Sequence, residues 1–191
     1  MSILRVQRVT KGGEVSHMPK NQTHALVVDC MYTALLQLMD EKAYHAITVT
    51  EIIRRAGVSR MAFYRNYRDK SEILIARFSQ ILQEFKRRCM EVHCLTERHF
   101  FYGLASALTS DPLLHYLHRA GLMLETFNIQ VKLATELYCR IMNWDPENSR
   151  TQIVIHGKMG AFSGMLLYLA EHPEYRDLDA ITDNIMQLAQ N

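Results

Sequence analysis

Glycine and proline are scarce, with 8 and 4 residues in a chain of 191. Strand-rich and loop-rich folds use more turn formers, and long apolar-periodic runs dominate this chain, so the pattern predicts an all-α fold. The first residues lack the long apolar run of a secretory signal. The stretch of lowest polarity, near residues 160–170, is too short to span a bilayer. A cytoplasmic protein with no membrane partner is therefore expected. The four cysteines, Cys30, Cys89, Cys94 and Cys139, show no C-x-x-C spacing. Reduced thiols buried on apolar helix faces are the expectation.

Motifs of catalysis are missing too. There is no P-loop, dinucleotide fingerprint, HExxH or serine elbow, so no catalytic residue and no cofactor are expected. Cys89 and His93 stand four apart and His115 and His118 three apart, spacings that put each pair on one helix face. No third and fourth ligands follow at metal-binding spacing, so the metal expectation is none. These histidines are read as surface or hydrogen-bonded groups.

Net charge is only +2, but it is unevenly placed. Residues 1–70 hold 11 Lys+Arg against 6 Asp+Glu, a balance of +5, while the remainder is at −3. A basic first third on a mildly acidic remainder suits a nucleic-acid-reading head joined to a body that avoids nucleic acid. Residues 1–20 carry a Gly-Gly pair, a proline and no helical period. They are read as a disordered tail or a cloning remnant, Ser16-His17-Met18 being of that type, with Met18 then the natural start. The alternative is a basic arm over a minor groove through Arg5, Arg8 and Lys11.

What the sequence does have is concentrated in residues 48–74. Thr48 has Glu51 three residues on, a capping-box spacing that starts a helix. Val49, Ile52, Ile53 and Ala56 fall on one face at helical spacing. Gly57 can supply the positive φ that ends a helix sharply, Val58 can fill the corner, and Ser59 is a natural N-cap for a second helix. In that second helix Ala62 and Phe63 face inward, leaving Arg60, Met61, Tyr64 and Arg65 outward. Two short capped helices with an exposed basic and aromatic face make a helix-turn-helix, whose second helix enters the major groove while its flanks hold phosphates.

This segment resembles the DNA-binding signature of the TetR (TetR/AcrR) family of transcriptional regulators. The matching residues are Thr48-Val49, Ala56-Gly57-Val58-Ser59, Tyr64, Tyr67 and Lys70, over about a seventh of the chain. Four positions depart from the family pattern: Ile53, Met61, Ala62 and Tyr67. Met61 and Ala62 change the reading face itself, so the operator sequence of a relative does not transfer. Beyond the disordered or cloning tail at 1–20, the resemblance implies a three-helix helix-turn-helix domain at 21–69 and a helical ligand-binding and dimerisation domain at 70–191. Thr48, Ser59, Tyr64 and Lys70 are then expected on phosphates and Arg60 and Arg65 on base edges, with Met61, Ala62 and Tyr67 completing the DNA-binding set.

Helices are expected at 21–40, with Val27, Cys30, Met31, Ala34, Leu35 and Leu38 buried, then from 70 with Leu74, Phe78, Ile81, Leu82 and Phe85 on one side. Others follow at 97–108, after Asp111-Pro112, and at 122–142, 149–171 and 178–189. Gly157, Gly160, Ala161 and Gly164 form a small-residue strip; three helical glycines cost roughly 1 kcal/mol each against alanine, which suggests a packing reason. In the family the last two helices pair with their copies, so these residues with Ile181, Ile185 and Leu188 are the expected dimer interface. Phe100, Phe101, Tyr116, Met123, Phe127, Tyr138, Met159 and Phe162 are the candidate lining of an effector pocket, their bland alternative being plain core.

The expected function is a homodimeric, sequence-specific transcriptional regulator, a repressor on a palindromic double-stranded DNA operator that a small-molecule effector releases. An effector-independent DNA-binding or protein-interaction factor on the same fold is the alternative. A cavity in the body favours the first reading and a fully packed body the second.

Overall fold

The computed structural model describes residues 20–188 except 173 and 176, with side chains described from 24 to 187. The expectation for residues 1–20 therefore lies outside the described residues, apart from residue 20 itself. Nine α-helices and one 3-10 turn follow in order, and no strand occurs among the described residues.

The first four helices are α1 (Lys20–Glu41), α2 (Val49–Ala56), α3 (Arg60–Asn66) and α4 (Ser71–Glu91), with a 3-10 turn at Tyr44–Ala46 before α2. The apolar stripe of α1 faces α2 and α4: Met31, Ala34, Leu35, Leu38 and Met39 are buried. Cys30 was expected in that stripe and is exposed, as is Cys94, while Cys89 and Cys139 are buried. Cys30 directly precedes buried Met31, and its exposure shows that the apolar face of α1 is narrower than the spacing implied.

The remaining helices are α5 (Glu97–Thr109), α6 (Leu113–Ala120), α7 (Met123–Met142), α8 (Ser149–Glu171) and α9 (Leu178–Leu188). Their boundaries follow local chemistry. The Thr96 hydroxyl accepts from the His99 amide to open α5, and the Asp111 carboxylate accepts from the Leu113 amide to open α6. Gly121 closes α6 in the left-handed conformation at φ 72°. Asn143, also left-handed, closes α7, and the Asn148 side chain caps α8.

Long α4 reaches from the first three helices into the body, packing on α1, α5, α6 and α7. α6 packs against α8 and α4 and also meets the 3-10 turn. α8 is long and apolar enough, by length and composition, to cross a membrane, although only a third of its most apolar window is buried. The short run read near 160–170 thus belongs to a longer apolar helix. One side of it, with Ile155, Met159, Phe162 and Leu166, forms core, and the other faces outward.

Candidate nucleic-acid interface

The chain builds two short helices at a fixed angle by satisfying their ends. Thr48 Oγ1 accepts from the Glu51 amide at 3.3 Å, and Glu51 Oε2 accepts from the Thr48 amide at 2.9 Å, a complete capping box. Lys42 Nζ donates to Glu51 Oε1 at 2.6 Å; that bond, ahead of those from Thr48, holds the Glu51 carboxyl down to about 2. Gly57 ends α2 at φ 67°, and Ser59 Oγ accepts from the Ala62 amide at 3.0 Å to start α3. Ile52 and Phe63, one from each helix, are fully buried in the core. Arg55 forks onto Glu41 at 2.7 and 2.8 Å, tying α2 to the end of α1.

α3 is held from behind and open in front. His24 on α1 bonds Asn66 at 2.7 Å, and the Asn66 amide group donates to the Ala62 carbonyl. On the outer face Met61 is 76% exposed and Tyr64 52%, with Arg60 and Arg65 exposed beside them. The Arg60 guanidinium lies 5.9 Å from the Tyr64 ring centroid, which pre-orders both. These four side chains form a continuous cationic and aromatic edge, and Ala62 is half-buried behind it.

Three expected DNA contacts are differently placed. Tyr67 is 5% exposed and packs edge-on to Phe63, so it belongs to the core and not to the reading face. Lys70 points its ammonium back at the carbonyls of Tyr44 and Ile47, each at 2.7 Å, and at that of His45 at 3.3 Å. Desolvation is the main cause that lowers its pKa. The Thr48 hydroxyl is inside the capping box while remaining exposed.

In the body, the eight candidate pocket residues divide between core and margin, and Tyr116 lines a cleft of about 420 Å³ beside Asp111 and His115. Phe100, Phe101, Tyr138, Met159 and Phe162 are buried, and their rings meet at centroid distances such as 5.2 Å for Phe100–Phe101 and 5.7 Å for Phe101–Phe162. Aromatic pairs at that spacing fill space by contact, so this stripe is core. Met123 and Phe127 pack partly buried at its margin, and Tyr116 bonds Asp40 on α1 at 2.8 Å. A cleft of about 690 Å³ lies elsewhere, between α4 and α5, and none of the eight residues lines it.

The expected dimer residues divide. Gly157, Gly160 and Gly164 are exposed with open space where a Cβ would stand, and Ala161 is half-buried. Ile181 and Ile185 are instead 6% and 1% exposed, because the apolar face of α9 packs on α5 and α8 within the same chain. The side chain of Leu188 lies outside the described residues. His115 meets the Ala170 carbonyl at 3.3 Å and His118 the Glu171 carboxylate at 3.5 Å, so both address α8.

The helix-turn-helix lies within the match to a family model. Residues 32–76 match the model of bacterial regulatory proteins, tetR family. Over that segment the chain is similar to the TetR family. No curated protein matches it by sequence. Among solved structures, the dihydroxyacetone kinase operon activator DhaS shares the fold at TM-score 0.60 and 14% identity, over 87% of this chain and 95% of that one. FadR from Bacillus subtilis, in complex with stearoyl-CoA, does so at TM-score 0.57 and 17% identity, over 87% and 97%. A TetR-like regulator from Rhodococcus sp. RHA1 gives 0.53 and 13%, over 91% and 97%. At these identities the likeness establishes the fold. Family and neighbours are transcriptional regulators and not enzymes.

One cluster of side chains is not announced by the sequence. The Tyr32 hydroxyl on α1 donates to Asp111 Oδ1 at 2.6 Å, and Arg77 on α4 donates to Asp111 Oδ2 through Nη2 at 2.8 Å and Nε at 3.1 Å. The Arg77 guanidinium also lies 5.2 Å from the Tyr32 ring centroid. Desolvation, and then the bond to Asp111, push the Tyr32 hydroxyl pKa well up. Asp111 reads locally as a helix cap, and nothing local announces partners 34 and 79 residues away.

Proposed function

We propose that the chain is a homodimeric transcriptional repressor acting in the cytoplasm on a palindromic DNA operator, with residues 21–69 as the reading head and 70–191 as the regulatory and dimerisation body. The observation that carries this reading is the outward edge of α3, where Arg60, Met61, Tyr64 and Arg65 are exposed on a helix capped at Ser59 and braced by α1. In it Arg60 and Arg65 contact base edges and Tyr64 and Ser59 hold phosphates. Lys70 then supports the reading head from behind, through the carbonyls before α2.

Dimerisation is supported by the outward side of α8. Ile153 is 72% exposed, Leu167 39% and Tyr168 51%, and the three glycines between them leave a shallow strip for a second backbone. Apolar surface of that kind on a long helix favours a partner, and two-fold symmetry would give two α3 helices at half-site spacing. Effector release is supported by the α4–α5 cleft and by the FadR neighbour, whose structure holds stearoyl-CoA. The packed aromatic core is the observation on the side of the effector-independent alternative.

Selection of bound sites from random DNA tests the reading. Enrichment of an inverted repeat is the expected result, and enrichment of a single unrepeated site or of none would overturn it. Placing the enriched site over a promoter, with transcription measured in vitro, then separates repression from activation.

A further inference from the structure

We propose that the α4–α5 cleft binds an organic anion with an apolar body, anchored on Arg77, and that the Arg77–Asp111–Tyr32 cluster carries its occupancy to the reading head. The proposal rests on the effector reading above and gives it a site and a ligand chemistry. The cleft's volume of about 690 Å³ lies in the range of small-molecule sites. Ile81 and Phe85 of α4, Ala107 of α5, and Val92 and Leu95 of the connection form its apolar wall. Gly103 also lines it, and a Cβ there would stand 2.9 Å from the Phe85 ring, so a larger residue would force that ring to shift.

Charge selects the occupant's head group. Arg77, Glu84 and Arg88 are the Lys, Arg, Asp or Glu residues of the lining. Glu84 is already engaged by Arg87 and Arg88 at 2.8 Å each, and the Arg87 bond, then that of Arg88, hold its carboxyl down to about 2. Arg88 is thus paired with Glu84 and Arg77 with Asp111, and the cationic donor left open in the cleft is the remaining edge of the Arg77 guanidinium. Two nitrogens of Arg77 face Asp111, while its Nη1 meets Gln80 Oε1 at a long 3.4 Å. A carboxylate or sulfonate entering beside Gln80 finds that edge of the guanidinium and makes a charge-assisted bond. An apolar body of aromatic or branched form then covers Phe85 and Ala107.

The anchor is also a joint. Arg77 holds the carboxylate that accepts the Tyr32 hydroxyl on α1 and caps α6 through the Leu113 amide. An anion on Arg77 weakens its grip on Asp111 and thereby changes how firmly α1 is tied to α4 and α6. That differential contact is what couples two sites.

The test uses the full chain and two probes of one shape, 2-naphthoate and uncharged 2-naphthol, followed by backbone amide NMR shifts. Saturable shifts centred on Ile81, Gly103 and Ala107, with naphthoate at least about tenfold tighter than naphthol, are expected. Arg77→Gln should erase the preference for the anion. Ser106→Trp, which fills the cleft and leaves Arg77 in place, should abolish both interactions. Equal affinity for the two probes, shifts centred elsewhere in the body, or no saturation with naphthoate would overturn the site. Operator affinity is measured in the same samples. Naphthoate should weaken it in the wild type, and Tyr32→Phe should keep naphthoate binding while losing that response. Anion binding in the cleft with unchanged operator affinity in the wild type would uphold the site and overturn its route to the head. An operator response with shifts centred elsewhere would instead spare the effector reading and overturn the cleft.

Discussion

The ammonium of Lys70 stands 2.7 Å from the carbonyl oxygen of Ile47, the residue immediately before the cap of α2. It closes the 3-10 turn against the start of α4, and its charge also faces the Tyr44 ring at 4.5 Å. Lys70→Met should therefore destabilise the first helices by about 2 kcal/mol, the scale of hydrogen bonds to a charged group. Chemical denaturation measures the loss. The slope of operator affinity against salt should stay at the wild-type value, because the ammonium is not a phosphate contact in this geometry; a flatter slope would return Lys70 to the DNA.

The outward residues of α3 should behave in the opposite way. Arg65→Ala removes an exposed cation that packs on nothing essential, so the melting temperature should hardly move. Operator affinity should fall and its salt slope flatten by about 1 if Arg65 neutralises a phosphate. If Arg65 reads a base edge instead, discrimination at one operator position should relax with a loss of about 1–3 kcal/mol. Binding titrations on single-base operator variants separate the two, and an unaffected titration in both formats would remove Arg65 from the interface.

Gly160 tests the assembly. It is exposed, and a side chain there meets open space within one chain. Gly160→Arg should leave the folded monomer intact by circular dichroism yet shift sedimentation equilibrium to a single chain's mass, with affinity for a two-half-site operator lost in parallel. A dimer that survives Gly160→Arg would place the contact elsewhere than on this strip.

Acid should loosen the capping box of α2. The Glu51 carboxyl is held at about 2, below its ordinary 4.5, chiefly by Lys42 and then by Thr48. A depressed folded pKa means that the ionised group stabilises the fold above its ordinary value, and that this contribution fades as pH falls from 4.5 towards 2. Wild type should thus melt higher than Glu51→Gln at neutral pH, and the gap should close across that window. Thermal melts of both proteins at several pH values would show it; a gap independent of pH would mean that the carboxylate charge has no part.

Local chemistry made the helix-turn-helix legible. Thr48, Glu51, Gly57 and Ser59 act on atoms within three or four residues, so their spacing alone specifies the caps and the turn. The bonds of Lys70 are not legible because its acceptors lie 23 to 26 residues upstream, where no periodicity points. Ile181 and Ile185 mark an apolar face correctly, but a face has no address: α5 of the same chain buries it as well as a second copy would. The aromatic stripe around Phe100 and Phe162 posed the same ambiguity between lining a hole and filling one, and ring-to-ring contact decides for filling. The cleft was not legible, since it is made by the mutual placement of α4 and α5, which no local pattern gives.

The brevity of α3 has an informational consequence. Seven residues rise only about 10 Å, so its few outward side chains can address about four base pairs, or some 250 distinct words. A genome offers at least about a million competing sites, and singling out one takes about ten base pairs. A lone copy of the chain therefore falls short by more than half of the address, and a second, symmetry-related α3 would supply most of the missing letters.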